Sequence, residues 1–310
     1  MRLAPRRGAQ GGATAAAGYI QPVASDAPSP PPRSPAVPSL FARDIQVVVL
    51  SSGSAGNCTY VGDGHAGMLI DCGLSTRQIF TRLGVYGLAD APIDAVMVTH
   101  EHSDHVGAAR VLADTLRKRG KPVPFYMTEG TARGLKPGCV PDGIETIVPG
   151  ARFRVRHWEV EAFPVPHDAG DPVVYRMRVG GTSVGVITDL GRSTSLVENL
   201  LQSLSIAVLE FNHDLDLLLS GSYPWPTKQR IRGSHGHLSN DQAGDLLERG
   251  VTDGLKHVIL AHLSAENNRP EKALGRAAGA LRTAGTDHVA LHVAQQDRPL
   301  PPVRVRAEAW

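Results

Sequence analysis

Thr99-His100-Glu101-His102-Ser103-Asp104-His105 follows directly on the apolar run Ala95-Val96-Met97-Val98. Three imidazoles and the Asp104 carboxylate therefore stand together just past what reads as a buried strand. Imidazole and carboxylate suit zinc, manganese or iron, and alternate donors in an extended loop can face two adjacent ions. The zinc-protease pattern H-E-x-x-H fails here, because Asp104 stands where its second histidine should be. A polar loop that merely happens to be histidine-rich is the competing reading, and it leaves four neighbouring metal donors unexplained.

Working outward, the same arrangement recurs. His167 follows Phe163-Pro164-Val165-Pro166, Asp189 follows Val184-Gly185-Val186-Ile187-Thr188, and His262 follows Val258-Ile259-Leu260-Ala261. A polar residue past an apolar strand is ordinary loop chemistry when it occurs once. Several such residues, beside a four-donor cluster, point to one shared edge.

The periodicity predicts strands over 45–50, 67–70, 152–155, 159–165, 173–179, 182–188, 206–211 and 257–261. It predicts helices over 76–83, 105–119, 195–203, 240–249 and 271–283, the first capped by Ser75 and burying Ile79, Phe80 and Leu83. Mixed strands with helices on outer faces make a layered α/β domain.

With 42% hydrophobic residues in 310, the chain can bury a substantial core, and its formal charge of +2 gives no global field for nucleic acid. The three cysteines, Cys58, Cys72 and Cys139, form no C-x-x-C pair, which argues for a reducing compartment and against a thiolate zinc site. No run approaches the roughly 18 apolar residues of a membrane span. Residues 1–43 are rich in Ala, Pro, Gly, Ser and Arg and lack a continuous apolar stretch. They are expected to be disordered or to precede the true start, with the globular domain over 44–310 in the cytoplasm.

With these residues in hand, the chain resembles the metallo-β-lactamase fold superfamily, whose signature H-x-H-x-D-H is followed by a distant His, Asp and His. The resemblance implies an αββα four-layer sandwich with a two-metal site at one edge. It assigns His100, His102 and His167 to one metal, Asp104, His105 and His262 to the second, and Asp189 to a bridge, with Asp71 orienting the ligand loop. The strings Ser51–Asn57, Pro166-His167-Asp168-Ala169, Glu210-Phe211-Asn212-His213-Asp214, Gly236-His237-Leu238-Ser239-Asn240 and His262-Leu263-Ser264-Ala265-Glu266-Asn267-Asn268 are similar to the YycJ/WalJ branch. That branch implies a metal-dependent DNA exonuclease, or more broadly a phosphodiesterase, with DNA as partner and no obligate protein partner.

The chemistry so implied uses a hydroxide shared by two divalent ions, Zn²⁺ or else Mn²⁺, held by Asp104 and Asp189. A proton for the leaving oxygen would come from His237 oriented by Glu210, matching the Glu–His pair of the transfer-RNA 3′-processing nucleases of this fold; His237 capping the next helix is the alternative. Ser54 and Asn57, in a glycine-rich loop, and Lys228 and Arg230, beside Tyr223 and Trp225, are candidate phosphate contacts. A tight turn and a solvated loop are the respective alternatives. A small-molecule hydrolase of thioesters, lactones or cyclic phosphodiesters on the same fold remains the second functional class. The span between Asp189 and His262 is too short for an added domain.

Overall fold

The structure is a computed structural model and describes residues 44–307; the expectation for 1–43 lies outside them. The first half runs β1 (Asp44–Ser51), β2 (Cys58–Gly62), β3 (Gly67–Ile70), α1 (Thr76–Gly84), β4 (Ala95–Met97), α2 (Ser103–Val106), α3 (Ala109–Lys118), β5 (Phe125–Thr128), α4 (Glu129–Gly134) and β6 (Ile144–Ile147). The second runs β7 (Arg152–Val155), β8 (Trp158–Pro164), β9 (Val173–Val179), β10 (Thr182–Ile187), α5 (Ser195–Gln202), β11 (Ile206–Glu210), α6 (Leu215–Ser220), α7 (Trp225–Ile231), α8 (Asn240–Gly250), β12 (His257–Ala261), α9 (Pro270–Thr283), β13 (Ala290–Val293) and β14 (Val303–Arg306).

Two seven-stranded sheets result, ordered β14-β1-β2-β3-β4-β5-β6 and β13-β12-β11-β10-β9-β8-β7. Alternation along β1, β3, β8 and β9 sends Val47, Val49, Met68, Ile70, Trp158, Val160, Tyr175 and Met177 into the layer between the sheets. The opposite faces take the helices. Val48, Leu69, Val96 and Phe125 meet Ile79 and Leu83 of α1 and Leu112 and Leu116 of α3. Ile187, Leu209 and Leu260 meet Val197 and Leu201 of α5, Leu246 of α8 and Ala277 of α9. The architecture is αββα, as the resemblance implies. The helical layer stops short of the outer face of β7–β9, which instead carries Arg152, Arg154, Arg176 and Arg178 paired with Glu159 and Glu161.

Strand direction places the site. β3 and β4 are parallel, as are β10, β11 and β12, so Asp71, His100, Asp189, Glu210 and His262 all leave carboxyl ends. β9 is antiparallel to both β8 and β10, so β8 runs with β10 and delivers His167 to the same edge. Hydrogen bonds cross between the sheets there: Val173 N to Thr99 O (3.0 Å), Tyr175 OH to Val98 O (2.9 Å) and His262 N to Ser52 Oγ (2.7 Å).

Two expectations need correction. The helix expected over 105–119 is two helices, starting two residues earlier and breaking at Gly107 and Ala108, where Ala108 N turns to Cys72 O (2.9 Å) instead of continuing the helical ladder. The stretch read as either an interface or a solvated loop at 223–232 contains α7, whose Pro226 sits in the first turn, where its missing N–H costs nothing.

Candidate metal centre

The loop from β4 is shaped by one carboxylate. Asp71, immediately after β3, accepts from Thr99 N (2.8 Å) and Thr99 Oγ1 (2.9 Å), and its Oδ2 lies 2.8 Å from His105 Nδ1. Thr99 Oγ1 also reaches His100 Nδ1 at 3.0 Å. With those nitrogens occupied, both rings turn Nε2 toward the centre. His100 Nε2 lies 3.0 Å from His102 Nδ1, and His105 Nε2 lies 3.4 Å from oxygens of both Asp104 and Asp189. Gly73 makes the close approach of α2 possible, since a Cβ there would sit 1.6 Å from the Asp104 carbonyl oxygen.

Side-chain donor atoms of His100, His102 and His167 gather within 4.8 Å of one another, and so do those of Asp104, His105 and His262. A third set, His100, His105 and Asp189, is gathered as closely and joins the two. The rings stack edge to face, His102 and His167 at 5.1 Å and His105 and His262 at 6.0 Å between centroids.

Three backbone positions are held in the left-handed region to achieve this: Asp71 (φ 61°), Asp189 (φ 60°) and His262 (φ 54°). Such conformations cost side-chain-bearing residues about 1–3 kcal/mol each and persist only where surrounding structure enforces them.

The donors fit divalent ions. His167 Nε2, Asp189 Oδ2 and His262 Nδ1 are buried without a hydrogen bond in the protein, an arrangement that costs about 1–3 kcal/mol per polar atom unless something else satisfies it. His262 Nδ1 does lie 2.9 Å from Asp189 Oδ1, as an ion-pair contact outside hydrogen-bond alignment. Cations accepting nitrogen and oxygen donors would satisfy His167 Nε2 and Asp189 Oδ2, while His262 turns Nε2 toward Asp104, 4.0 Å away.

Charge in the centre is poised for such an ion. Burial, reinforced by His105, pushes His100 well below the ordinary imidazole range, and burial also lowers His167; both rings are then neutral, as ligation requires. Burial opposes a charged His262 and His105 too, but carboxylates outweigh it: Asp189 and Glu210 raise His262 to about 10, and Asp189 and Asp71 raise His105. Asp189 is held well below the carboxylate range, its burial outweighed by His262 and His105. Without a cation, protonated histidines thus take the place of positive charge.

Beside this centre, Glu210 Oε1 lies 2.8 Å from His237 Nδ1, while its Oε2 accepts from Leu190 N (3.1 Å) and Leu238 N (3.3 Å). Burial raises Glu210, but His237 outweighs it and the carboxyl falls to about 2. Donor atoms of Asp189, Glu210, His237 and His262 likewise lie within 4.8 Å of one another. The lone pairs of Glu210 are nonetheless largely committed to protein donors, which suits an orienting group better than a ligand.

The other sequence candidates fare differently. Asn57 is buried, and its Nδ2 lies 3.2 Å from Asp104 Oδ2 and 3.0 Å from His105 Nε2, so it braces the cluster from beneath; Ser54 is exposed. Lys228 is not available for the phosphate contact expected of it, because it is buried and donates to Leu219 O (2.7 Å) and Gly221 O (2.6 Å). Arg230 is exposed and donates to Asp168 Oδ2 (2.6 Å), whose Oδ1 stands 3.3 Å from His167 Nε2. Asp214 caps α6 by accepting from Leu217 N (3.0 Å).

Sequence reasoning missed Asp168, although its adjacency to His167 was a signal. It missed Gln296, which clamps the Ser51–Asn57 loop through Ala55 N (2.8 Å), Ser51 Oγ (2.6 Å) and Gly56 O (2.9 Å), and no local pattern announces it. Glu101 was also unassigned; its Oε1 accepts from Gly170 N (2.8 Å) and ties the His167 loop to the His100 loop.

Comparison with known proteins shows the family. A family model described as a beta-lactamase superfamily domain matches residues 67–262. The chain is 35% identical over 228 residues to exodeoxyribonuclease YycJ of Bacillus anthracis, covering 73% of this chain and 84% of that protein. It is 34% identical over 230 residues to exodeoxyribonuclease WalJ of Streptococcus pneumoniae, with the same coverage of 73% and 84%. Among solved structures, the metallo-beta-lactamase fold protein YhfI of Bacillus subtilis superposes with a TM-score of 0.62 at 16% identity, covering 83% of this chain and 99% of that one.

Proposed function

The chain belongs to the metallo-β-lactamase superfamily, and from that membership we propose that it is an exodeoxyribonuclease, hydrolysing DNA phosphodiesters with two divalent ions, zinc or manganese. The observation that carries this is the pair of donor sets meeting at Asp189 with the Glu210–His237 pair alongside. His100, His102 and His167 would hold one ion, Asp104, His105 and His262 the other, with Asp189 between. When bound, such ions neutralise a phosphoryl oxygen and make water nucleophilic at neutral pH.

The protein's own groups supply the rest. Asp104 commits Oδ2 to Asn57 and His105, and its side chain is 22% exposed, so it can accept a hydrogen bond from a water entering between the clusters. His237 turns Nδ1 to Glu210, which leaves Nε2 on the opposite side of the ring to hand a proton to the departing sugar oxygen. An alkoxide leaving group needs that donor, and this favours phosphodiesters over thioesters, whose thiolate departs unprotonated.

End-labelled double-stranded DNA incubated with the full chain and Mn²⁺ or Zn²⁺ tests the proposal, with Asp104→Ala as control. Stepwise shortening that disappears in the control is the expected result. Intact DNA after incubation with a folded, metal-loaded protein would overturn it.

A further inference from the structure

Trp225 opens α7 and is 54% exposed, an unusual position for the side chain that gains most from burial. It is not loosely held. Lys228, one turn on, anchors α7 to the end of α6 through two carbonyls, and Arg232 at the far end places its guanidinium 5.8 Å from the indole centroid. The helix then runs straight into the proposed catalytic loop: His237 N donates to Ile231 O (2.8 Å), Gly236 O lies 3.0 Å from His167 Nδ1, and Arg230 is bonded to Asp168 beside His167. A rigid aromatic face and two exposed guanidinium groups are thereby fixed to the edge of the metal centre.

We infer that Trp225 is a stacking platform for an unpaired base of the DNA strand being digested, with Arg232 and Arg230 facing the adjoining phosphates. This rests on the nuclease reading above. The chemistry matches one occupant. An indole accepts any base on its π-face, and guanidinium groups alongside complement a phosphate backbone rather than an apolar partner. From Trp225 to Ile231 the helix advances about 9 Å at 1.5 Å per residue. At that far end Ile231 O holds His237 N, so the indole stands about one short helix's length from the loop that carries the proposed proton donor. A base inside a duplex offers no free face, so the base that stacks must be unpaired. The substrate class narrows to single-stranded DNA or frayed duplex ends.

The test uses full-length, metal-loaded protein and a fluorescein-labelled oligothymidylate with cleavage-resistant phosphorothioate linkages, beside the same oligomer lacking the three bases at each end. Wild type should bind the intact oligomer about tenfold more tightly than the abasic one, the scale of one base–aromatic stack. Trp225→Ala should lose about tenfold on the intact oligomer and cease to distinguish the two, whereas Trp225→Phe should still distinguish them. The intact oligomer should quench tryptophan fluorescence in wild type and not in Trp225→Phe. A structural defect would weaken both oligomers equally. If Trp225→Ala distinguishes them as wild type does, the platform is overturned while DNA degradation by wild type keeps the nuclease reading. If wild type neither binds nor degrades DNA, both fall together. If Trp225→Ala instead converts a dimer into a monomer with affinity unchanged, the face belongs to a second copy and the proposal is overturned.

Discussion

At the scale of single residues, Asp71, Asp189 and Glu210 carry the most consequence, because each decides what a neighbouring imidazole does. Glu210 spends its oxygens on Leu190, Leu238 and His237. His237→Ala should therefore lower kcat on DNA by about 10²–10⁴, the usual contribution of a positioned acid, while the metal content of the purified protein stays unchanged. Loss of bound metal in that variant would make His237 a ligand instead. His262 gives a pH prediction. Its folded value without metal is about 10, against roughly 6.5 for an unfolded imidazole. A raised value adds stability that is full below 6.5 and lost as pH climbs toward 10, so chelator-treated protein should melt at a lower temperature at pH 8 than at pH 6.5. His262→Gln should reduce that slope, leaving the part His105 supplies, and an unchanged slope in the variant would assign it elsewhere. Metal affinity should rise over the same interval, since the ion displaces the proton. The donors themselves were legible because each stands at or just beyond an apolar run. The braces were not, since Asn57 and Gln296 reach the loop through contacts that no spacing rule encodes.

At the scale of elements, the sequence reads well wherever one face is uniformly apolar. α1 begins at its expected cap, with Ser75 accepting from Gln78 N, and β9 spans the expected residues. It reads poorly where a helix is short or interrupted. α2 is a single turn whose Asp104 and His105 face the donor cluster instead of core, so periodicity across it carries no packing signal. α6 and α7 are likewise too brief for a moment to emerge, and the aromatic and basic residues of α7 suggested a surface loop. What joins them is Lys228, and Lys228→Met, which keeps the stem and removes the two carbonyl bonds, should cost about 1–3 kcal/mol in chemical denaturation. A denaturation midpoint equal to wild type would show that solvent replaces those bonds without loss.

At the scale of the whole molecule, the αββα layering followed from the resemblance, and order of elements alone did not yield it. Edge strands such as β6, β13 and β14 escaped because they are four residues each and largely half-buried, which blurs a period of two. The proposed ligands come from both sheets, His100 and Asp104 from one and Asp189 and His262 from the other. Bound ions would therefore bolt the two halves together. Chelation should lower the melting temperature by ~5–10 °C, which corresponds to ions present at about a hundredfold over their Kd in a domain of this size. Identical melting curves with and without chelator would deny that coupling.

The pairing of β14 with β1 has one more consequence, and it concerns synthesis. β1 is among the first described residues to leave the ribosome and β14 among the last, yet they lie side by side, with Asp44 opposite Arg306. Until β14 emerges, β1 is an open edge able to pair with another nascent chain. Gln296, which shapes the loop beside the ligands, and the carbonyls of Gln296 and Asp297 that Arg82 grasps arrive in that same late stretch. The loop beside the proposed ligands thus cannot be clamped before Gln296 emerges, so a polypeptide stalled short of it carries those donors without the contact that frames them.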